Sequence, residues 1–407
     1  MKNFLIVGLI YVTFFMSSCL AEDEVYLAIQ DVEPTFTEKI LKQDIENVKE
    51  EPLTETLNEN FVPELSVYKS EEESNPIKAE IEYDVLYETK SLLSKYSTIK
   101  FENGPMDEIV PFFAYQGQFH FNFLDSGYGT QYLEPTAELG FLGKFKNKPI
   151  EYKFIMNFMP NKNYSYLQSM FKDDFITFKY IPHNDITVGS FRTPIGVEGG
   201  MSGYTVPFIA RSQISRNFGS VRGVGFRING DYSLAEYNIG MTSSGRQWKN
   251  MFNGVEFNGW VNFKPLGRTD GKYGVLKVGG GLNAGHRNID YNVIGAYLSY
   301  KYKKFALESE YAVSHGSNGL SGLTSNRGQG LYTTVSYNLT KKLQVLARYD
   351  IFEKDMTKSG RKDTEYTLGL NYYIKGSSLK FMLNYVFCQS DYKSNSNRII
   401  LGTQIIL

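Results

Sequence analysis

Cysteine, tryptophan and histidine are scarce in this chain of 407 residues, with 2, 2 and 4 copies. The histidines, His120, His183, His286 and His315, are scattered and lack metal-ligand spacing, so neither a metal nor a cofactor is expected. Cys19 lies in an export-type N-terminus, which leaves Cys388 no internal disulfide partner in a processed chain. No run of 18 apolar residues follows that N-terminus, which excludes a membrane helix. It does not exclude a barrel, whose lipid face is spread over alternate residues. Ser202 has no glycine two positions on, so it is not on a nucleophile elbow. Gly223 and Gly225 have no third glycine opening a helix, so no dinucleotide site is expected. Together these absences predict a protein that is not an enzyme, with an outer-membrane hydrolase as the residual alternative. Basic residues do not cluster with aromatics in a soluble domain, which argues against nucleic-acid binding.

Acidic charge is abundant but confined to one end. Lys2 precedes an apolar run of 13 residues, Phe4–Met16, followed by small residues, which reads as a signal peptide over 1–21. A cut before Cys19, leaving a lipid-anchored chain, is the alternative. Residues 22–80 hold 17 Asp/Glu and 5 Lys, a net of −12. Against −1 for the whole chain, and with Lys2 alone charged before them, this leaves +10 on residues 81–407. Residues 22–105 are therefore expected to be an acidic, largely disordered periplasmic extension or linker, with a short helix near Tyr87–Tyr96 as its one element.

From Pro111 onward the pattern changes to alternation. Phe113, Tyr115, Gly117, Phe119, Phe121 and Phe123 share one phase, and Gln116, Gln118, His120 and Asn122 the other. In Lys342–Phe352, Leu343, Val345, Ala347, Tyr349 and Ile351 share a face, while Gln344, Arg348 and Asp350 share the opposite one with Leu346 and Phe352. Similar segments recur near 136–145, 150–159, 173–181, 185–192, 222–229, 234–243 and 254–264. Others lie near 274–285, 292–303, 304–314, 328–338, 342–353, 363–374, 378–389 and 397–407. With the first, this makes about 16 strands. Short links alternate with longer ones at 160–172, 193–221, 244–253, 315–327, 354–362 and 390–396. The predicted fold class is all-β: a transmembrane antiparallel β-barrel over 106–407, with tight periplasmic turns and longer outer loops. Aromatics at 15 % of the chain suit strands that cross an interface.

Three stretches, Ile186–Gly200, Val206–Ile228 and Leu331–Asp355, resemble the phosphate-selective porin O and P family of Gram-negative bacteria. The resemblance covers roughly 110–407 and omits the acidic extension. It implies a trimeric 16-stranded barrel in the outer membrane whose third outer loop folds inward and narrows the pore. The chain departs from barrel habit at Leu407, where an aromatic is usual.

The third outer loop, 193–221, is the longest connection in the barrel region. With its flanks it carries Arg192, Arg211, Arg216 and Arg222, no lysine and one acid, Glu198. Guanidinium forms paired bonds to phosphate or carboxylate, so these residues are the candidate anion-binding constriction, with Arg227 extending the basic path. The competing reading is that they pair with lumen acids and pin the loop. Arg348 and Asp350 are expected as a charge pair facing the lumen. The expected function is passive diffusion of small anions, phosphate or polyphosphate among them, through an outer-membrane porin. The alternatives are a structural or adhesive barrel with a plugged lumen, or a channel for another solute such as a sugar. The expected partners are outer-membrane lipid, small anions and further copies of the chain.

Overall fold

A computed structural model describes residues 98–124, 127–159, 170–245 and 254–407. The expected signal peptide, the acidic run 22–80 and the short helix near 87–96 lie outside the described residues.

Strand β1 is Ile99–Lys100. The wall follows as β2 (Met106–Leu124), β3 (Gly127–Phe145), β4 (Ile150–Asn157), β5 (Phe171–Ile181) and β6 (Asn184–Arg192). After a long connection come β7 (Arg222–Asp231), β8 (Ala235–Ser243), β9 (Val255–Phe263), β10 (Val275–Arg287) and β11 (Ile289–Tyr302). The last are β12 (Phe305–Gly319), β13 (Gly322–Asn338), β14 (Leu343–Glu353), β15 (Lys362–Lys375), β16 (Leu379–Ser390) and β17 (Ser396–Ile406). Each of β2–β17 pairs antiparallel with its sequence neighbours, and β17 pairs with β2 from Ser396↔Leu124 to Ile406↔Ala114. The 16 strands therefore close on themselves, which removes the free edges that lipid cannot satisfy. The first eight residues of β2 extend past the β17 register. Within them Ile109 and Glu108 pair with Ile99 and Lys100 of β1, inside the stretch expected to be linker.

The alternation decides which side each residue meets. On β14, Gln344, Leu346, Arg348, Asp350 and Phe352 point inward and are buried, while Ala347 and Tyr349 are exposed outside. The outer surface of β15 runs Tyr366, Leu368, Leu370, Tyr372, Ile374, all exposed, with Leu368 at 60 %. Water would make that face costly, at roughly 25 cal/mol per Å² of apolar surface, whereas lipid does not. Tyrosines bound the band at both ends. Tyr349, Tyr366 and Phe387 form one row, with ring centroids 5.4 and 6.2 Å apart. Across neighbouring strands Tyr302 faces Phe305, Phe305 faces Tyr337, and Tyr372 faces both Leu343 and Phe381, making the second row. From Tyr366 to Tyr372 the strand runs about 20 Å along its own axis at ~3.3 Å per residue, which at the roughly 40° tilt of such barrels is about 15 Å of height within the apolar band.

Two boundaries differ from the sequence reading. The expected long loop 315–327 is strand: β12 and β13 run on to Gly319↔Gly322, with a bulge between His315 and Ser317. Serines, glycines and asparagines give no lipid-facing alternation there, yet their backbones still pair. Likewise β3 begins at Gly127 rather than near 136, because β2 continues to offer it a ladder up to Leu124. The connections at the β1 end of the barrel are mostly tight, as at Lys303-Lys304, whereas 193–221 leaves from the opposite end.

Candidate functional site

The connection 193–221 does not stand away from the barrel. It carries two short helices, α1 (Val197–Gly200) and α2 (Gln213–Phe218), and lies along the inner wall. Pro194 and Pro207 cannot donate to a ladder, which keeps the segment from extending the sheet. Ser212 caps α2 by accepting a bond from the Ser215 N–H. Gly196 turns the chain at φ 67°, a left-handed conformation that favours glycine. That turn aims the Val197 and Glu198 N–H groups at the Glu310 carboxylate on β12, at 3.2 and 3.4 Å.

Polar side chains of the wall bind the loop backbone in sequence. Gln404 donates to the Tyr204 carbonyl at 3.2 Å, and Lys380 to the Tyr204 and Val206 carbonyls at 3.3 and 3.4 Å. Asn371 donates to Pro207 O at 2.8 Å, and Asn384 accepts from Ile209 N at 2.9 Å. Arg348 donates to Ala210 O at 3.0 Å, and Asp350 accepts from Gln213 N at 2.8 Å. A loop with this many backbone groups taken out of water needs such partners. Apolar contacts add to them. Ile214 and Phe218 pack with Val293, Ala312, Tyr332 and Phe352, which explains the inward Phe352. A Cβ on Gly369 would lie 2.9 Å from Phe208 and one on Gly402 2.9 Å from Ile209, so these wall glycines make room for the loop.

The seven residues singled out from the sequence fall in three places. Arg192, Arg211 and Arg222 are electrostatic neighbours beside the loop, together with Lys172, Glu138 and Asp173. Arg222 Nε donates to Asp173 at 2.8 Å, and Lys153 meets the same carboxylate at 3.1 Å. Arg211 donates to the Glu198 carbonyl and, at 2.8 Å, to the Met201 carbonyl. Buried Arg192 Nη1 has no hydrogen-bond partner among the described residues. Arg227 packs its guanidinium on Phe191, 4.7 Å from the ring centroid, and donates to the Arg192 carbonyl at 3.4 Å. It shares the wall with Arg192 but faces rings rather than an acid.

Arg216 is elsewhere. It donates to Glu365 at 2.6 Å on the far side of α2, and Arg398 holds the other oxygen of that carboxylate at 3.0 Å. The two arginines line a cavity of about 640 Å³ shared with Lys354, Lys393, Asp363 and Cys388. Arg348 and Asp350 form the third place. Their charged atoms are 3.6 Å apart, and Arg348 also lies 3.7 Å from Glu198 Oε1 and 4.7 Å over the Phe208 ring. The pair thus reaches beyond the wall to the loop.

Sequence reasoning missed Lys172 as a lumen cation. Ile155 pairs with Asp173 and Met156 with Phe171, so Lys172 is the extra residue of a bulge. The bulge lets sequence neighbours Lys172 and Asp173 both face inward, which strict alternation forbids. Lys354, Lys393 and Arg398 were missed because they come from the β14–β15 connection, the β16–β17 connection and β17, and alternation along one strand does not show that pairing of β14–β17 gathers them at one cavity.

Residues 270–406 match the model of the family described as phosphate-selective porin O and P. That span includes the Leu331–Asp355 stretch, while the two stretches around the loop lie before it. No curated protein matches the sequence. Among solved structures, the fold is similar to the outer membrane channel DcaP of Acinetobacter baumannii, with TM-score 0.54 and 12 % identity over 77 % of this chain and 100 % of that one. It is also similar to an anion-selective porin from Comamonas acidovorans, with TM-score 0.53 and 12 % identity over 74 % and 99 %. OmpF of Salmonella typhi, solved in complex with daunomycin, gives TM-score 0.55 and 14 % identity over 76 % and 100 %. At these identities the likeness is one of fold: a closed 16-stranded porin barrel.

Proposed function

We propose that the protein is an outer-membrane porin through which small anions, inorganic phosphate among them, diffuse passively. One observation carries the reading. Beside the inward loop, Lys153, Lys172, Arg192, Arg211 and Arg222 share one locality with two carboxylates, Glu138 and Asp173. The loop's own acid, Glu198, is occupied by Ser212 and Arg348. A surplus of fixed cations at a constriction lowers the energy of a passing anion and raises that of a cation. With an effective dielectric constant of about 20, a charge 6–8 Å from one excess cation gains on the order of 2–3 kcal/mol. Guanidinium donors suit the paired oxygens of phosphate. The cavity lined by Arg216, Lys354, Lys393 and Arg398 would gather anions before the constriction.

Family resemblance adds two expectations: insertion in the outer membrane of a Gram-negative cell and assembly as a homotrimer. The acidic composition of residues 22–80 adds a third, that this run lacks the apolar density to pack and the barrel does not need it. Deleting 22–80 should leave the heat-resistant folded barrel and its conductance unchanged. Cross-linking of purified protein in detergent checks the trimer. The second reading, a structural barrel with a plugged lumen, draws on the ion pairs Arg222–Asp173 and Arg216–Glu365, which neutralise part of the cationic surplus.

Reversal potentials across a planar bilayer in a salt gradient separate the readings. The proposal expects open channels with anion preference, reduced in an Arg192→Gln, Arg211→Gln double variant. Channels that prefer cations would overturn the anion reading, and a barrel that inserts without conducting would establish the plugged one.

A further inference from the structure

The tight turns at the β1 end of the barrel carry an unusual sign of charge. The β11–β12 turn is Lys303-Lys304, the β13–β14 turn contains Lys341-Lys342, and Lys375 closes β15 beside the next turn. All five are exposed. None of these three turns contains an acid. The lumen cations of the same wall behave differently: Lys301 meets Glu308 at 3.7 Å and Lys277 meets Glu236 at 2.8 Å. Lys303, Lys304, Lys342 and Lys375 have no ion pair with any described residue, and Lys303 instead sits 5.1 Å from the Tyr302 ring centroid.

Position decides what such a group meets. These lysines lie directly beyond the aromatic row Tyr302, Tyr337 and Tyr372 that ends the lipid-facing band. Tyrosine marks the depth where acyl chains give way to headgroups. Lysine stems extend along apolar surface while their ammonium groups reach the polar layer, so the next groups in the bilayer are headgroup phosphates. The surface is continuous with the lipid contact and lies outside the barrel's lumen, which favours lipid over a solute in the pore.

We propose that the turn lysines of β11–β16 form a binding surface for anionic phospholipid headgroups in the leaflet at the β1 end of the barrel. The recognised chemistry is a phosphodiester on a lipid with net negative charge, held by two or more ammonium groups from adjacent turns. A zwitterionic lipid offers the same phosphate with its own cation beside it, and gains less. The proposal rests on the barrel spanning a bilayer, not on what the pore conducts.

The test uses the full chain in lipid nanodiscs with spin-labelled phosphatidylglycerol or phosphatidylcholine, reading the fraction of each label immobilised at the protein. Near-surface lysines enrich anionic lipid by about five-fold per effective charge, so an enrichment of several-fold is expected at low salt, fading as salt is raised. The variant Lys303→Gln, Lys304→Gln, Lys342→Gln, Lys375→Gln should lose it while keeping heat-modifiable mobility. The corresponding four Lys→Arg changes should retain it, which separates charge from any disturbance of the turns. Equal immobilisation of the two labels by the unaltered protein, or full enrichment in the Gln variant, would overturn the proposal. Should the Gln variant fail to fold, loss of enrichment at high salt in the unaltered protein supports it, and salt-independent enrichment overturns it. None of these readouts involves current through the pore, so failure here is distinct from failure of the anion reading.

Discussion

Arg348 on the β14 wall and Glu198 on the inward loop meet at 3.7 Å, with side chains only 1 % and 7 % exposed. The same guanidinium donates to the Ala210 carbonyl and covers the Phe208 ring. Wall and loop are therefore joined by charge, hydrogen bond and ring contact through one side chain. Removing it takes away the guanidinium that pairs with both Glu198 and Asp350.

Arg348→Ala should therefore free the loop rather than merely alter selectivity. Breaking a buried pair costs about 3–5 kcal/mol, here lodged mainly in loop attachment because the strand ladder does not depend on it. Single-channel records should show new flicker and a broader conductance distribution, with a smaller change in reversal potential. A quiet channel whose anion preference has vanished would place the filter on β14 instead.

Gly196→Ala attacks the same loop from its other anchor. The residue sits at φ 67°, and a Cβ there would overlap the Glu310 carboxylate. Strain of roughly 1–3 kcal/mol, together with loss of the bonds from Val197 and Glu198, should loosen the α1 segment. Protease added to the folded barrel should cut within 193–221 in this variant and not in the parent. Resistance equal to that of the parent would refute the anchor.

Lipid contact predicts a depth dependence on the outer surface. Leu368 lies in the middle of the β15 band, whereas Leu339 lies in a turn. Leu368→Arg should cost about 2–4 kcal/mol of barrel stability and Leu339→Arg about 0–1. Urea-dependent folding into vesicles measures both. Equal small costs would mean that β15 does not face hydrocarbon.

Cys388 reports on the cavity above α2. Its Sγ is 3.2 Å from Arg398 Nη2, and it is a free thiol. A net positive field there should make a negatively charged methanethiosulfonate react faster than its trimethylammonium counterpart, by roughly ten-fold at low salt and less at high salt. Labelling rates followed by mass give the ratio. Equal rates, or a faster cationic reagent, would remove this cavity from the anion path.

The fold was legible because each strand carries its own instruction. Alternation on β14 or β15 is local and needs no knowledge of partners, and 16 such segments with turn residues between them have one closed arrangement that hides every edge in lipid. Arg348 and Asp350, two apart on one strand, could be placed on one face for the same reason. What alternation cannot carry is a bulge, so Lys172 beside Asp173 was invisible, and the polar β12–β13 extension read as loop. Nor could it pair Arg216 with Glu365 or Glu198 with Arg348, residues about 150 positions apart in sequence. Those contacts exist only because closing the barrel brings β12–β17 around the loop, and because Gly369 and Gly402 leave space for it on the wall. Away from the bulges, the sequence determined which residues face lipid and which face the lumen, since period two is a property of the chain. The tertiary structure alone decided which lumen charges neutralise one another and which are left to meet an ion, since that depends on distances across the barrel.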